Sequence, residues 1–214
     1  MNGTGGTSGF DGTGETGEFG DAGVTGEFDG TALRRDLAEL LAGAGVLDVD
    51  IDDAIADEHV RSSAYRRVVL ATAASRSRER DRAVVAAILR DPDETASKTA
   101  VVALVDGIAM EATGPAEFRQ WSAWLLPETG RLRTGAYRAF IRRRVHDWLF
   151  RLSVEDGHVP ARAELAEVTD WMQRCLAEKS TSPAVLALLA ESGGTRKIRN
   201  IAEDRARKRG TGAR

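Results

Sequence analysis

Only one of the 214 residues, Cys175, is a cysteine. No intrachain disulfide can form, and nothing points to an oxidising compartment. Aromatic residues are sparse, at 6%. Long apolar runs are missing as well. The longest clear one, residues 100–105, stops at Asp106 and falls far short of a membrane span. The first 30 residues lack a basic stretch followed by an apolar one, so no secretory signal and no membrane partner are expected, and the expected location is cytoplasmic. Period-two alternation is absent throughout, which excludes strands and makes the fold class all-α. The three histidines, His59, His146 and His158, have no zinc-binding spacing and the cysteine is distant, so no metal site is expected. His146 and Asp147 are neighbours on a helix and so do not face one another as an acid–base pair. Gly-x-Gly patterns occur only near the N-terminus with no strand before them, which argues against a dinucleotide or phosphate loop. No cofactor is expected, and a catalytic constellation is lacking.

What is present divides the chain in three. Residues 1–30 hold eleven glycines, six acids (Asp11, Glu15, Glu18, Asp21, Glu27, Asp29) and no base. Such a segment cannot bury enough apolar surface to offset its ordering entropy, so a disordered tail is expected. Phe10, Phe19 and Phe28 recur in it at nine-residue steps. Calcium-binding β-roll repeats have that length, but their paired glycines and regular aspartates are missing. The spacing leaves a short acidic–aromatic docking motif as one reading and a plain solvated tail as the other. Residues 31–209 form the folded domain, and 210–214 a second disordered end. The whole is 42% hydrophobic and 29% charged, ordinary for a soluble protein and enough for a real core.

Within 31–209 the pattern is helical. Leu33, Leu37, Leu40 and Leu41 share one face, and Gly43 and Gly45 stop that helix. A short helix is predicted over 51–56, a longer one over 59–75, and another over 78–90. Asp91-Pro92-Asp93 breaks the last of these, and Asp93 can cap the next helix, 94–112. Pro115 opens 116–126, and Pro127 with Gly130 makes the following turn. Residues 131–153 form a long helix with Ala136, Phe140, Val145, Trp148 and Leu152 inward. Helices over 161–178, 183–191 and 195–209 complete the set. Trp121, Trp124, Trp148 and Trp171 are expected to serve as packing.

A short register repeats along these helices. Val60-Arg61 with Ala64 is matched by Leu132-Arg133 with Ala136, 72 residues on, and by Ile198-Arg199 with Ala202 after a further 66. Ala96-Ser97 with Ala100 lies halfway between the first two. Fixed steps of this size mark repeat architectures. The stretch 85–104 resembles a HEAT repeat through Leu89, Asp91, Pro92, Asp93, Ala100 and Leu104, while Ala96-Ser97 departs from the family's Val-Arg. The resemblance covers about four repeats over 33–209 and implies helical hairpins stacked as a short solenoid, each covering the apolar face of the last. A compact helical bundle is the competing architecture. In the solenoid, Ala64, Ala100 and Ala136 are expected at inter-helix contacts, and Arg61, Arg133 and Arg199 are expected to pair with acids of adjacent repeats.

Two basic clusters remain. One is Arg138, Arg142, Arg143, Arg144 and Arg151. The other is Arg196, Lys197, Arg199, Arg205, Arg207, Lys208 and Arg209. Positive charge near a helix C-terminus explains part of the second. The net charge of −3 implies no strong polyelectrolyte partner overall. The function expected is therefore a non-enzymatic scaffold that binds another protein. The second reading is a DNA- or RNA-binding module that uses the two clusters on phosphates. A single continuous basic face would favour nucleic acid; dispersed arginines favour the scaffold.

Overall fold

The computed structural model describes residues 30–75 and 77–212. Apart from Gly30, the expected tail lies outside the described residues. Among those residues there are eleven α-helices and no strand, so the class is all-α.

Most helix ends are set locally. Helix α1 (Gly30–Gly43) buries Leu33, Leu37, Leu40 and Leu41. It closes at Gly45, whose φ is +69°. Val46 N returns to Leu41 O and Gly45 N to Ala42 O, a pair of bonds that requires left-handed backbone at position 45. Helices α2 (Ile51–Ala56) and α3 (Glu58–Ala74) open on Asp50 and Asp57, whose carboxylates accept from the first free amides. Helix α4 (Asp81–Ile88) is shorter than 78–90, because Arg90 N and Asp91 N bond only three residues back and tighten its end. Asp93 caps helix α5 (Glu94–Glu111) by accepting from Thr95 N and Ala96 N. Pro115 is the first residue of helix α6 (Pro115–Glu128), which runs through Pro127 instead of stopping before it. So near a helix end, proline removes a single amide bond. A tight turn, Thr129–Arg131, follows, and helix α7 (Gly135–Glu155) starts later than residue 131.

The single helix expected over 161–178 is two, α8 (Arg162–Glu167) and α9 (Asp170–Lys179). Asp147 of α7 accepts from Thr169 N at 3.0 Å and Thr169 Oγ1 at 2.6 Å. That holds Thr169 outside the helix, where its hydroxyl caps Met172 N. Helices α10 (Pro183–Ser192) and α11 (Arg196–Gly212) complete the chain. Helix α11 thus continues into the stretch 210–214 that was expected to be disordered.

Neighbours in space follow the order of the chain. Helices α3, α5, α7, α9 and α11 touch in series and form one layer. On the other side α1 touches α4, α4 touches α6, and α8 touches α10. A single run of buried side chains, from Leu37 through Tyr65, Leu104, Phe118 and Leu165 to Ala202, fills the space between. Helices α3 and α5 approach closely at Gly107, where an added Cβ would lie 2.7 Å from Ala73 Cβ.

The helices of the serial layer share a local feature. The fourth residue of each donates a side-chain hydrogen bond to carbonyls at the end of the preceding helix or turn. In α3, Arg61 Nη1 reaches Ala54 O at 3.1 Å and Ile55 O at 3.3 Å. In α5, Ser97 Oγ reaches Ile88 O at 2.8 Å. In α7, Arg138 Nη1 reaches Leu132 O and, at 2.9 Å, Arg133 O. In α9, Gln173 Nε2 reaches Leu165 O at 3.0 Å and Val168 O at 3.1 Å. In α11, Arg199 Nη1 reaches Gly193 O at 2.6 Å. Three residues further on, Ala64, Ala100, Ile141, Leu176 and Ala202 are all buried.

This corrects the sequence register at one copy. Leu132 is buried but sits in the turn before α7, and Arg133 and Ala136 are exposed. The structural equivalents are Tyr137, Arg138 and Ile141. The same shift turns Phe140 outward and puts Ile141 in the core. Helix α9, where the sequence register named no copy, carries it as Met172, Gln173 and Leu176. Of the predicted arginine–acid pairs, Arg61 meets Asp91 at 2.8 Å and Arg133 meets Glu94 at 3.2 Å, whereas Arg199 has its carbonyl partner instead.

Candidate functional site

The two arginine clusters do not merge into one basic face. Consecutive residues on a helix point about 100° apart, so Arg142, Arg143 and Arg144 leave α7 in three directions. Arg142 and Arg143 are exposed with no ion pair among the described residues. Arg144 turns toward α9, with its guanidinium 3.6 Å from the Trp171 ring centroid and Nε 3.4 Å from Asp106 Oδ1. Arg151 lies over Trp148 at 4.9 Å and pairs with Glu155 at 2.8 Å. Arg138 is the carbonyl donor described above.

The C-terminal cluster is similarly engaged. Arg205 Nη2 donates to Ser180 O at 3.1 Å and its Nη1 to Glu178 O, while Arg209 donates to Thr181 O. These carbonyls lie at the end of α9 and just beyond it. Arg199 serves the end of α10, and Arg207 pairs with Asp204. Arg196 and Lys197 are exposed. The hydrogen bond from Arg174 holds the Glu178 carboxyl below its ordinary range, with Lys197 among the charges that contribute. Lys208 is exposed on the last turns of α11.

What the serial layer does assemble is a ridge of alternating cations and rings across α5, α7 and α9. Lys98 Nζ of α5 stands 4.7 Å from the Phe140 centroid and 5.9 Å from that of Tyr137. Thr95 Oγ1 is 3.1 Å from Tyr137 OH. Arg144 lies between Phe140, at 5.7 Å, and Trp171. Trp171 meets Trp148 edge to face at 6.1 Å, and Arg151 closes the row over Trp148. Trp148 Nε1 donates to Asp106 Oδ1 at 2.6 Å, fixing that ring from below. Burial pushes the Asp106 carboxyl up, against the opposing pull of the Trp148 bond and the Arg144 charge.

Two rings of this ridge face solvent: Phe140 is 44% exposed and Trp171 40%. Trp171 packs across α7 and α9, on Trp148 and Arg144, while keeping 40% of its surface open, whereas Trp121 and Trp148 are buried. Lys98, Tyr137, Phe140 and Trp171 were missed as site residues. They are scattered over 74 positions of the chain, and only the meeting of three helices brings them together.

A concavity lies elsewhere. A groove of about 760 Å³ runs between α1, the end of α3 and α4, with small residues such as Ala71 and Ala83 beside polar and charged ones, among them Glu39, Ser75, Glu79 and Arg90. Beneath it Asp81 Oδ2 accepts from Trp121 Nε1 at 2.8 Å, tying α4 to α6. Its Oδ1 is sealed without a partner, and burial pushes the carboxyl up. His146 is exposed while Asp147 is buried against Thr169, so the two make no pair. No described helix is long and apolar enough to cross a membrane. Compared with protein-family models, with curated proteins and with solved structures, the chain matches none.

Proposed function

We propose that this chain is a cytoplasmic helical-repeat adaptor of the HEAT-like kind, which binds another protein through the ridge on α5, α7 and α9. The observation that carries the reading is the chemistry of that ridge. Tryptophan, tyrosine and arginine dominate the residues whose truncation most weakens protein interfaces, and rigid rings offer contact area at low entropic cost. Here such side chains stand on α7 and α9 beside Lys98 of α5, and two rings, Phe140 and Trp171, are open to solvent. The serial contacts and the repeated fourth-position donor support the solenoid on which the site would sit.

The nucleic-acid reading has lost most of its residues to internal bonds. Of those residues Arg142, Arg143, Arg196, Lys197, Arg207, Lys208 and Arg209 are exposed, on two separate helices, and Arg207 and Arg209 are engaged with Asp204 and the Thr181 carbonyl. The test is a pull-down with the full chain, with and without nuclease, repeated with Trp171→Ala. Capture of a defined protein that survives nuclease and is lost in W171A supports the adaptor. Capture abolished by nuclease and indifferent to W171A overturns it in favour of nucleic acid.

A further inference from the structure

We propose that the first occupant of the ridge is the chain's own N-terminal segment, residues 1–29, held through Phe10 or Phe19 and the acids beside them. This rests on reading the ridge as a docking face. It makes the segment an intramolecular competitor for the partner.

Complementarity is the main argument. The ridge sets each exposed ring beside a cation: Phe140 beside Lys98, and Trp171 beside Arg144. The segment carries the counterpart. Each of its three nine-residue steps holds one phenylalanine and two acids, and a carboxylate is always the phenylalanine's immediate neighbour, as in Phe10-Asp11, Glu18-Phe19 and Glu27-Phe28-Asp29. The segment has no basic residue to compete for those carboxylates. Lys98 has no ion pair among the described residues, so an incoming acid displaces no existing partner there. The opposed rings would add offset or edge contact between aromatic faces.

Reach selects which phenylalanine docks. An extended chain spans at most about 3.3–3.6 Å per residue. Phe28 lies two residues before α1 and is held within about 7 Å of it by its own backbone. The ridge begins on α5, beyond α3, and packed helices lie about 8–10 Å apart. Phe28 therefore falls short, while Phe19 and Phe10 have leashes of about 35–40 Å and about 65–70 Å. Tethering on a short glycine-rich leash supplies an effective concentration in the millimolar range, so a contact too weak to capture a free peptide is still populated.

The test uses the full chain and its four tryptophan indole N–H signals in a ¹H–¹⁵N spectrum, with Trp171 assigned through Trp171→Phe. The Phe10→Ser/Phe19→Ser variant is expected to move the Trp171 signal and leave those of Trp121 and Trp124, on α6, in place. Phe28→Ser should leave all four unchanged and serves as the matched control. Raising salt should carry the native Trp171 signal toward its position in the double variant. An unmoved Trp171 signal in the double variant overturns the proposal, as does an equal shift from F28S. A shift that depends on protein concentration overturns it in favour of contact between copies. The adaptor reading fails separately, through W171A-independent capture in the pull-down. If the segment occupies the ridge nine-tenths of the time, the double variant should capture partner about tenfold more tightly, since the competent fraction rises from about 0.1 to about 1.

Discussion

Asp91→Ala should cost about 3–5 kcal/mol, the usual loss when one member of a buried ion pair is removed. Asp91 sits in the turn between α4 and α5 with its side chain fully shielded, opposite an Arg61 side chain only 9% exposed. Its Oδ2 accepts from Arg61 Nε at 2.8 Å and Tyr65 OH at 2.7 Å, and its Oδ1 from Asp93 N at 2.8 Å. Without the carboxylate, the guanidinium keeps the Ala54 and Ile55 carbonyls and a distant Asp93, 3.9 Å away. Burial also holds the Tyr65 hydroxyl well above its ordinary range, so that group stays a neutral donor with nothing to receive it. All three bonds end on the carboxylate, so summing about 1.5–3 kcal/mol for each overshoots, because water enters the cavity and Arg61 keeps two bonds. The assay is urea unfolding of Arg61→Met, Asp91→Ala and the double variant, followed by circular dichroism and by tryptophan fluorescence. The double variant should cost clearly less than the sum of the singles, because removing both charges relieves both desolvation penalties. A cost for D91A below about 1 kcal/mol, or singles that add within about 0.5 kcal/mol, would refute the buried-pair argument. The two probes also report on cooperativity. The tryptophans lie on α6, α7 and α9, while Asp91 joins α3 to α5, so separated transitions would show the first hairpins opening alone.

Three shorter expectations follow. Thr134 Oγ1, then the amide of Arg133, hold the Glu94 carboxyl down to about 2, so its contribution is present above about pH 4.5 and is lost as pH falls through 2. The stability gap between native protein and Glu94→Gln should accordingly narrow over that window in urea titrations, and a gap that stays constant down to pH 2 would count against it. Ala64→Leu should overpack the α3–α5 contact and cost about 1–3 kcal/mol, whereas Ala136→Leu, on the exposed first turn of α7, should be nearly neutral; equal costs in urea would undo the corrected register. Gly107→Ala should lower the thermal midpoint, since the new Cβ meets Ala73 Cβ at 2.7 Å and the neighbour is another short side chain that cannot swing aside; an unchanged midpoint would show that the helices part freely.

Helix boundaries were legible where their cause is local. Asp93 caps two amides in its own turn, Pro115 starts the helix it was expected to start, and Gly45 closes α1. The break at Thr169 was not legible, because its cause is Asp147, 22 residues away on another helix. The register failed at α7 for a related reason. A search for the pair Val-Arg finds Leu132-Arg133 and passes over Tyr137-Arg138 and Met172-Gln173. Yet the shared requirement at that position is a side-chain donor aimed at the carbonyls that end the preceding helix or turn, and arginine, serine and glutamine all meet it. Sequence letters follow this function poorly because the acceptor is backbone, which any residue supplies.

The same physics accounts for much of the positive charge of α11, which its place at the end of the serial layer alone leaves unexplained. A helix ends in unpaired carbonyls and a partial negative charge, and cations beside it are favourable. Helices α9 and α10 both end against α11. Arg199 reaches the end of α10, and Arg205 and Arg209 reach the end of α9 and the chain just past it. Part of the cluster that looked like a phosphate-binding surface is thus the counter-charge to two helix termini. On α7 the equivalent demand is met by Arg138, while Arg144 and Arg151 lie over tryptophans. An arginine count therefore overstates the charge available to a ligand. What the serial layer leaves open instead are Phe140 and Trp171, each beside a cation, Lys98 and Arg144, the two contacts that the proposed partner's ring and carboxylate would use.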